Sequence, residues 1–512
     1  MPSRDPGTRL LSGRAKAGPT LSVHLSDRDG PTLPDKLRQA YLWIVNNAVL
    51  CPTYDVEFGP GPVFSNKAGD SVRLPSAMSY SSFVLLPMLT LVTARRALLV
   101  GGPGRGKTTS AILMALIAGM PREAVRRSIQ RGHPQLTIAD LLGSPLPSDL
   151  MKAEDLSAVK VSWRKWIGER VKIVDEYNRI PTKTQSALLS LMAEGYAEMF
   201  DQYVHTGRSA WFLTANDDAG GGTFQVIEAL RDRIDVVVRA VPFNSGFLES
   251  LLARIEADVT PEEMVPKEIV FTKAELDAAY AEVLAVKVPE EVLHRLAFFL
   301  GQLDFCRMAS PVFELKTKDT LKLSGRSVGA VCDERCPLDK SAHLCSQTEG
   351  GVSVRTYQTL LHYAKAMAFF RGNPEVELAD VEQLAPWVLH DKLVPNTRSA
   401  FFHAKANEGL LNDRVAWIRR MFSDAMERWP VHEGPRRAVN GMARQLQEAV
   451  ETQYAGLTLK EIERRISETA ALIERRMRRE ELSGAAYEDL VQLKAIFSRY
   501  QNHATWLKQT GR

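Results

Sequence analysis

Apolar residues along this chain recur at helical spacing near both ends and form short continuous runs between them. Near the N-terminus, a one-sided stripe predicts a helix from about residue 34; its members are Leu37, Tyr41, Ile44 and Val45. Residues 51–75 lack such a stripe and are expected to form irregular structure or short strands. Residues 79–93 are almost wholly apolar and predict a second helix in spite of Pro87.

Four short apolar runs are typical of buried strands. They cover residues 98–100, 171–174, 210–213 and 235–238, and helical patterns lie between them. Strands that alternate with helices indicate an α/β domain with a parallel sheet.

A glycine-rich turn joins the first of these runs to a helical pattern. Residues 101–109 read GGPGRGKTT, which contains the spacing G-x-x-x-x-G-K-[ST]. Glycines there let backbone N–H groups point at phosphate oxygens, and the following helix adds its positive N-terminal end. The predicted nucleotide-binding residues are Gly101, Gly102, Pro103, Gly104, Arg105, Gly106, Lys107, Thr108 and Thr109. Lys107 is expected to reach the β- and γ-phosphates, and Thr108 to ligate Mg²⁺.

Polar residues follow two of the other runs. Residues 171–176 read VKIVDE, so a strand would carry Asp175 and Glu176 to the carboxyl edge of the sheet. Asp175 could hold Mg²⁺ through water and Glu176 could polarise the attacking water, although an acid pair at a strand end is also common without such a role. Asn216 follows the run at 210–213 and could orient that water; a turn-forming asparagine is the alternative.

Two arginines precede the last run. Arg231 and Arg233 lie just before residues 235–238. An arginine in this place could project into the site of a neighbouring subunit and neutralise charge in the transition state.

The whole composition sets wider limits. A chain of 512 residues is expected to form about three or four domains. A net charge of +4, from 65 basic and 61 acidic residues, gives no argument for a nucleic-acid partner. No window offers about 18 consecutive apolar residues, and residues 1–20 lack the apolar core of a signal peptide, so a cytoplasmic protein is expected.

Several longer segments resemble one family. Residues 175–195, DEYNRIPTKTQSALLSLMAEG, resemble the segment DE-x-NRAPPKTQSALLEAM-x-E of the MoxR family of AAA+ ATPases. Residues 135–150 resemble the family's insert after its first helix, and residues 223–235 resemble its arginine-finger segment. Residues 350–372 and 376–396 resemble two helices of its lid. The order of these motifs is also the family's order.

The resemblance assigns further roles and partners. It makes Asn216 the sensor-1 residue, Arg233 the arginine finger with Arg231 as an extra, and Arg355 the sensor-2 arginine acting from the lid of the same chain. It implies Mg²⁺-ATP bound between core and lid, a hexameric ring, and a protein client, with von Willebrand factor A-type partners frequent in the family. The family has proline before the sensor-2 arginine, whereas Val354 stands here.

Cysteines cluster where the chain departs from the family. About 40 residues are inserted in the lid, and four of the five cysteines lie in or beside them: Cys306, Cys332, Cys336 and Cys345. Four thiolates, or three with His343, could hold a structural Zn²⁺, and four cysteines could hold an iron–sulfur cluster. Free thiols or a disulfide are the alternatives.

The remaining chain is predicted to be helical. Residues 400–426 and 438–454 are expected to be separate helices, with a break at Trp429-Pro430 and Gly434-Pro435. Residues 459–482 and 487–507 carry apolar stripes that predict an antiparallel hairpin, with the stripes in a core or free for a partner. A basic strip on residues 464–479 is expected to be a solvated, ion-paired face, with nucleic acid as the alternative.

These observations predict an AAA+ α/β nucleotide-binding domain with a parallel sheet, followed by an all-α lid and a helical arm. The expected boundaries are a flexible tail at 1–39, the core at 40–242, the lid at 243–397 with the insertion at about 306–349, and the arm at 398–512. The predicted function is ATP hydrolysis in a ring that remodels or assembles a partner protein. A nucleic-acid motor and a slow nucleotide-gated scaffold are the alternatives.

Overall fold

The computed structural model describes residues 31–146, 151, 159–216, 228–479 and 482–510. Its helices in these ranges are α1 (Leu33–Asn47), α2 (Ser82–Thr93), α3 (Lys107–Ile117), α4 (Arg122–Ser128), α5 (Ile138–Leu142), α6 (Thr182–Ala193), α7 (Glu228–Arg233), α8 (Leu248–Ala257), α9 (Lys273–Ala285), α10 (Glu290–Asp304), α11 (Lys318–Leu323), α12 (Val328–Val331), α13 (Val354–Arg371), α14 (Leu378–Leu389), α15 (Ala400–His403), α16 (Arg414–Glu451), α17 (Leu459–Arg479) and α18 (Gly484–Thr510).

The strands in the same ranges are β1 (Val56–Glu57), β2 (Val63–Ser65), β3 (Ser71–Arg73), β4 (Ser79–Tyr80), β5 (Arg96–Val100), β6 (Ile129–Arg131), β7 (Gly143–Pro145), β8 (Val161–Trp163), β9 (Val171–Asp175), β10 (Tyr196–Met199), β11 (Gln202–His205), β12 (Ala210–Ala215) and β13 (Val236–Arg239).

A five-stranded parallel sheet forms the centre of the fold. Its strand order is β13-β5-β12-β9-β6, and every neighbouring pair runs parallel. The four strands that the apolar runs predict are all present. The sequence missed β6, since its three residues, IQR, contain a single apolar side chain.

Apolar side chains alternate between the two faces of this sheet, as strand geometry requires. Leu99 and Phe212 pack with α2 and α3 on one face. Leu98 and Leu213 pack with α6 on the other. Every residue of α2 is buried, so the apolar segment with Pro87 is a helix in the interior, as predicted, although it starts at Ser82, after the short strand β4.

The lid is joined to the sheet at the amino end of β13. Asp235 is 3% exposed and accepts hydrogen bonds from the backbone N–H of Arg96 at 2.9 Å and from Thr359 Oγ1 of α13 at 2.6 Å. Arg95 and Arg96 add ion pairs at 3.5 and 3.4 Å. The apolar core is continuous from α2 into α13 and α14. One buried carboxylate thus ties the lid helix to two neighbouring strands.

The inserted segment after α10 has apolar clusters of its own. Cys306 packs with Leu321, Val328 and Val331. Cys336 and Cys345 pack beside Phe305 and Tyr487. The hydroxyl of Tyr487 donates to the carbonyl of Glu314 at 2.8 Å, so α18 covers the insertion.

The C-terminal arm confirms the predicted hairpin and corrects the predicted break. α17 and α18 pack on each other, and their stripes form a core that contains Ile462, Leu493 and Tyr500. The break at Trp429-Pro430 and Gly434-Pro435 is wrong, because α16 continues through both prolines. Trp429 is 2% exposed and its ring centroid lies 5.3 Å from that of Phe298 on α10. Tertiary packing of this kind outweighs local helix propensity.

The helix predicted over residues 400–426 is also divided. α15 ends at His403, and α16 begins at Arg414, where the side chain of Asp413 accepts from the backbone N–H of Ala416 at 3.0 Å. Such an N-cap fixes the start of a helix.

The predicted N-terminal tail extends too far. α1 begins at Leu33, where Thr32 caps the helix, so residues 33–39 are helical; residues 1–30 lie outside the described part of the chain. No helix among the described residues is long and apolar enough to span a membrane.

Replacing Asp235 by alanine is expected to lower the free energy of unfolding by about 3 kcal/mol, because two arginines and Thr359 would lose a buried partner. Urea denaturation measures the change. Glu256→Gln, at an exposed position of α8, is the control and should change the value by less than about 0.5 kcal/mol. Equal stabilities for the two variants would contradict the anchoring role of Asp235.

Candidate functional site

The glycine-rich loop leaves β5 and enters α3 at the carboxyl edge of the sheet. Gly104 and Gly106 have φ angles of 72° and 74°, a region that side chains with a Cβ rarely adopt. Gly106 occupies the N-cap position of α3, and Lys107 is the first residue of the helix. The loop therefore presents the helix N-terminus, which is the part of a helix that binds anions. Pro103 and Arg105 are exposed on it.

Lys107 is 7% exposed and bends back over this loop. Its Nζ donates to the carbonyls of Gly101 at 2.6 Å and Gly102 at 2.8 Å, and to Asn216 Oδ1 at 2.9 Å. The ammonium group thus lies against the loop and the end of β12 together. Lys107 and Asn216, which the sequence assigns to one site, are in direct contact.

Asp175 connects the loop to the two central strands. Thr108 Oγ1 donates to Asp175 Oδ1 at 2.8 Å. Thr214 Oγ1 donates to the same oxygen at 2.6 Å and accepts the backbone N–H of Glu176 at 2.9 Å. Thr214 is fully buried at the end of β12. Carboxylate and hydroxyl oxygens side by side are the donor set that Mg²⁺ prefers, so Thr108 and Asp175 fit such an ion.

Glu176 has both carboxylate oxygens engaged. Asn216 Nδ2 donates to Oε1 at 3.0 Å, and Arg179 Nη1 donates to Oε2 at 2.8 Å. Glu176 itself has φ 52° and ψ 47°, the left-handed region that is unfavourable for a residue with a Cβ. Strained backbone of this kind is concentrated at functional sites.

The arginines predicted from sequence lie at the other edge of the sheet. Arg233 ends α7, directly before β13, and is half-buried. Arg355, at the start of α13, donates to Asp232 Oδ2 at 2.8 Å, and Ser353 donates to Asp232 Oδ1 at 2.8 Å. Burial tends to raise the pKa of Asp232, but these two hydrogen bonds outweigh it and the pKa is lowered.

The pairing of β13 with β5 indicates at which edge of the sheet Arg355 lies. Val236 pairs with Ala97 near the amino end of β5, whereas Ala240 bonds to Val100 beside the glycine-rich loop. The length of β5, about 13 Å at ~3.3 Å per residue, separates the two edges. Arg355, bonded to Asp232, therefore lies nearer the amino edge of the sheet, and Lys107 lies at the carboxyl edge.

The cysteines of the insertion do not form the predicted metal site. No group of three or more histidine, cysteine or acidic side chains among the described residues is arranged to hold a metal ion, and that part of the chain contains all four cysteines and His343. All the cysteines are free thiols, which also excludes a disulfide. Burial raises the pKa of Cys345 to about 12 and also raises the pKa of Cys306 and Cys332.

Two residues of the site were missed in the sequence. Thr214 is the last but one residue of β12. Its hydroxyl, on a strand next to the one that carries Asp175, is the feature that could have indicated its role. Arg179 is part of the DEYNR segment, but its contact with Glu176 depends on a turn that the letters alone do not specify.

Thr214→Val is expected to raise the Mg²⁺ concentration for half-maximal ATP hydrolysis about 10-fold or more, because the hydroxyl that orients Asp175 is lost. A Mg²⁺ titration of the ATPase rate measures this. Thr184→Val removes another buried hydroxyl, bonded to Leu136, and serves as the control. An unchanged titration midpoint in a folded Thr214 variant would contradict the proposed orientation of Asp175.

Comparisons with known proteins agree with this geometry. A family model described as "ATPase family associated with various cellular activities (AAA)" matches residues 96–236, and another described as "AAA lid domain" matches residues 341–413. The first range contains the residues around Lys107 and the second contains Arg355. A comparison with curated proteins found no match.

Among solved structures, a protein of Cytophaga hutchinsonii that is provisionally designated an ATPase is similar to this chain. It is 17% identical, with a TM-score of 0.48, over 75% of this chain and 94% of its own. The two family matches cover the glycine-rich loop first and the lid second along the chain. The chain thus contains an AAA ATPase domain at residues 96–236 and an AAA lid domain at residues 341–413.

Proposed function

We propose that this chain is a MoxR-type AAA+ ATPase that hydrolyses Mg²⁺-ATP in an oligomeric ring and uses the cycle to remodel or assemble a partner protein. One observation carries the proposal. The residues suited to bind phosphate and activate water lie at the carboxyl edge of the sheet, and Arg233 and Arg355 lie together at the amino edge. A complete site therefore needs two copies of the chain.

Each residue at the carboxyl edge has a chemical role in this proposal. Lys107 leaves the carbonyls of Gly101 and Gly102 to bind the β- and γ-phosphates, while Thr108 and Asp175 hold Mg²⁺, which neutralises phosphate charge. Glu176 accepts a proton from the water that attacks the γ-phosphorus, as the bond to the leaving ADP oxygen breaks. Asn216 orients that water.

The two arginines would act on the neighbouring subunit. Arg233 ends α7, and Arg355 is bonded to Asp232, the residue before Arg233. An arginine supplied across an interface stabilises charge on the transferred phosphoryl group and typically accelerates hydrolysis about 10³- to 10⁵-fold. The bond to Asp232 would hold the guanidinium of Arg355 close to α7, the helix that carries Arg233.

The client is inferred by resemblance. The MoxR resemblance favours a hexamer in the cytoplasm and a protein partner, with von Willebrand factor A-type proteins as the first class to test. Strand β7 lies within residues 135–150, which resemble the insert that the family carries after its first helix, and it pairs with β8. Residues 147–150 and 152–158, between these strands, lie outside the described residues.

The basic strip of the arm gives little support to the nucleic-acid alternative. Arg464 and Arg478 pair with Glu468 and Glu474 one turn away on α17, and Arg476 pairs with the buried Asp489. Cations that are already paired in this way are poorly placed to bind a phosphate backbone. ATPase stimulation by DNA, by RNA and by candidate proteins separates the two functions.

A mixing experiment tests the shared site. Lys107→Ala and Arg233→Ala are each expected to lower the ATPase rate at least about 100-fold, because each removes one half of every site. Mixed in equal amounts, they should recover about a quarter of the activity per interface, since some interfaces then combine an intact loop with an intact arginine. A mixture no more active than its components would contradict the shared site.

Glu176→Gln tests remodelling and the scaffold alternative. The variant should bind ATP but hydrolyse it at least about 100-fold more slowly, and so retain partners that the parent protein releases. Affinity purification of tagged variant and parent with ATP, followed by mass spectrometry, measures this. Unimpaired function of Glu176→Gln in cells would contradict a hydrolysis-driven role and favour a scaffold.

A further inference from the structure

Helix α8 presents an apolar stripe to solvent. Leu248, Leu252 and Ile255 are spaced four and three residues apart, so they share one face of the helix, and they are 57%, 54% and 64% exposed. Phe243 and Phe247, just before the helix, are exposed as well. Contiguous apolar surface of this kind marks an interaction site.

This helix receives little support from its own chain. Within the described part of the chain, none of its ten residues is buried. Arg254 Nη1 attaches it to the end of α1 by donating to the carbonyl of Ala48 at 3.0 Å. A helix of this length is only marginally stable in water unless its apolar face is packed. The stripe is therefore suited to be covered by a partner.

The apolar surface begins beside the glycine-rich loop. The backbone N–H of Ala240 donates to the carbonyl of Val100 at 2.7 Å, and a Cβ on Gly101 would stand 3.0 Å from that of Ala240. Phe243 is three residues further along, so its Cα lies within about 11 Å of that of Ala240. A second copy that brings Arg233 to the loop therefore also comes close to Phe243 and to the helix that follows it.

The face that carries Arg233 has exposed apolar side chains of its own. Val394 is 53% exposed and closely follows Lys392, whose Nζ donates to the carbonyl of Ile234 at 2.8 Å, one residue after Arg233. Val354 is the first residue of α13, the helix that bonds to α7, and it is exposed as well. Apolar surface is thus present on both sides of the contact that a shared site requires.

We propose that the apolar face of α8, formed by Leu248, Leu252 and Ile255, docks on the face of a second copy that carries Arg233 and Val394. This inference rests on the proposed function, in which two copies share each site. The contact joins two different surfaces of the chain, so it is heterologous and can close into a ring. Removal of the stripe from water favours the association.

The test measures assembly and ATP hydrolysis of the full chain with Leu252→Asp or Ile255→Asp. A carboxylate is tolerated at an exposed position, but it opposes association where the contact would bury it without a partner. Each variant is expected to raise the concentration for half-maximal assembly at least about 10-fold in mass photometry, and the rate per chain should fall in parallel. Higher protein concentration should restore the rate, because the ATP-binding residues are unchanged.

Val394→Asp tests the receiving face and should weaken assembly in the same way. Phe64→Asp is the matched control: Phe64 lies on the hairpin of β2 and β3, is 62% exposed, and undergoes the same exchange of an apolar for an acidic side chain. It should leave assembly and rate unchanged. Thermal unfolding checks that each variant is folded, and the two positions on α8 cover the case in which one of them is not.

Unchanged assembly in a folded α8 variant or in Val394→Asp would overturn the docking, and so would an equal loss in Phe64→Asp. An α8 variant that assembles normally but loses a partner protein in affinity purification would also overturn it and assign the face to that partner. A parent chain that hydrolyses ATP as a monomer refutes the proposed function, whereas concentration-dependent hydrolysis that the α8 variants leave unchanged refutes the docking alone.

Discussion

The parallel register of the central sheet is the constraint on which the rest of this structure depends. All five strands point their carboxyl ends to one edge, so the loop after β5, the acids after β9 and the amide after β12 converge there. The same register places α7 and the start of β13 at the opposite edge. A single chain therefore carries the phosphate site and the arginines in places that cannot meet.

Asp235 fixes the lid helix α13 to this sheet. Its side chain accepts hydrogen bonds from the backbone N–H of Arg96, the first residue of β5, and from the hydroxyl of Thr359 on α13. Arg355, one turn before Thr359 on α13, donates to Asp232 of α7. The lid helices α13 and α14 share a continuous apolar core with α2. Arg355 of α13 is therefore held against α7, the helix that ends at Arg233.

Much of this site could be predicted because its parts are local in sequence. The loop at Lys107 and the acids at Asp175 and Glu176 directly follow apolar runs. The residue types at these positions indicate phosphate and metal binding. Contacts between distant segments could not be predicted: Arg355 bonds to a residue 123 positions away, and α16 passes through two prolines because Trp429 packs on α10. The arrangement of the four cysteines, which pack in two apolar clusters, is likewise a tertiary property that the sequence could not give.

The dependence of ATPase rate per chain on protein concentration tests the central claim most directly. A site divided between two copies predicts a rate per chain that falls toward zero on dilution, with a midpoint that coincides with the loss of assemblies in a mass measurement on the same samples. A rate per chain that stays constant down to concentrations at which only monomers are present would contradict it.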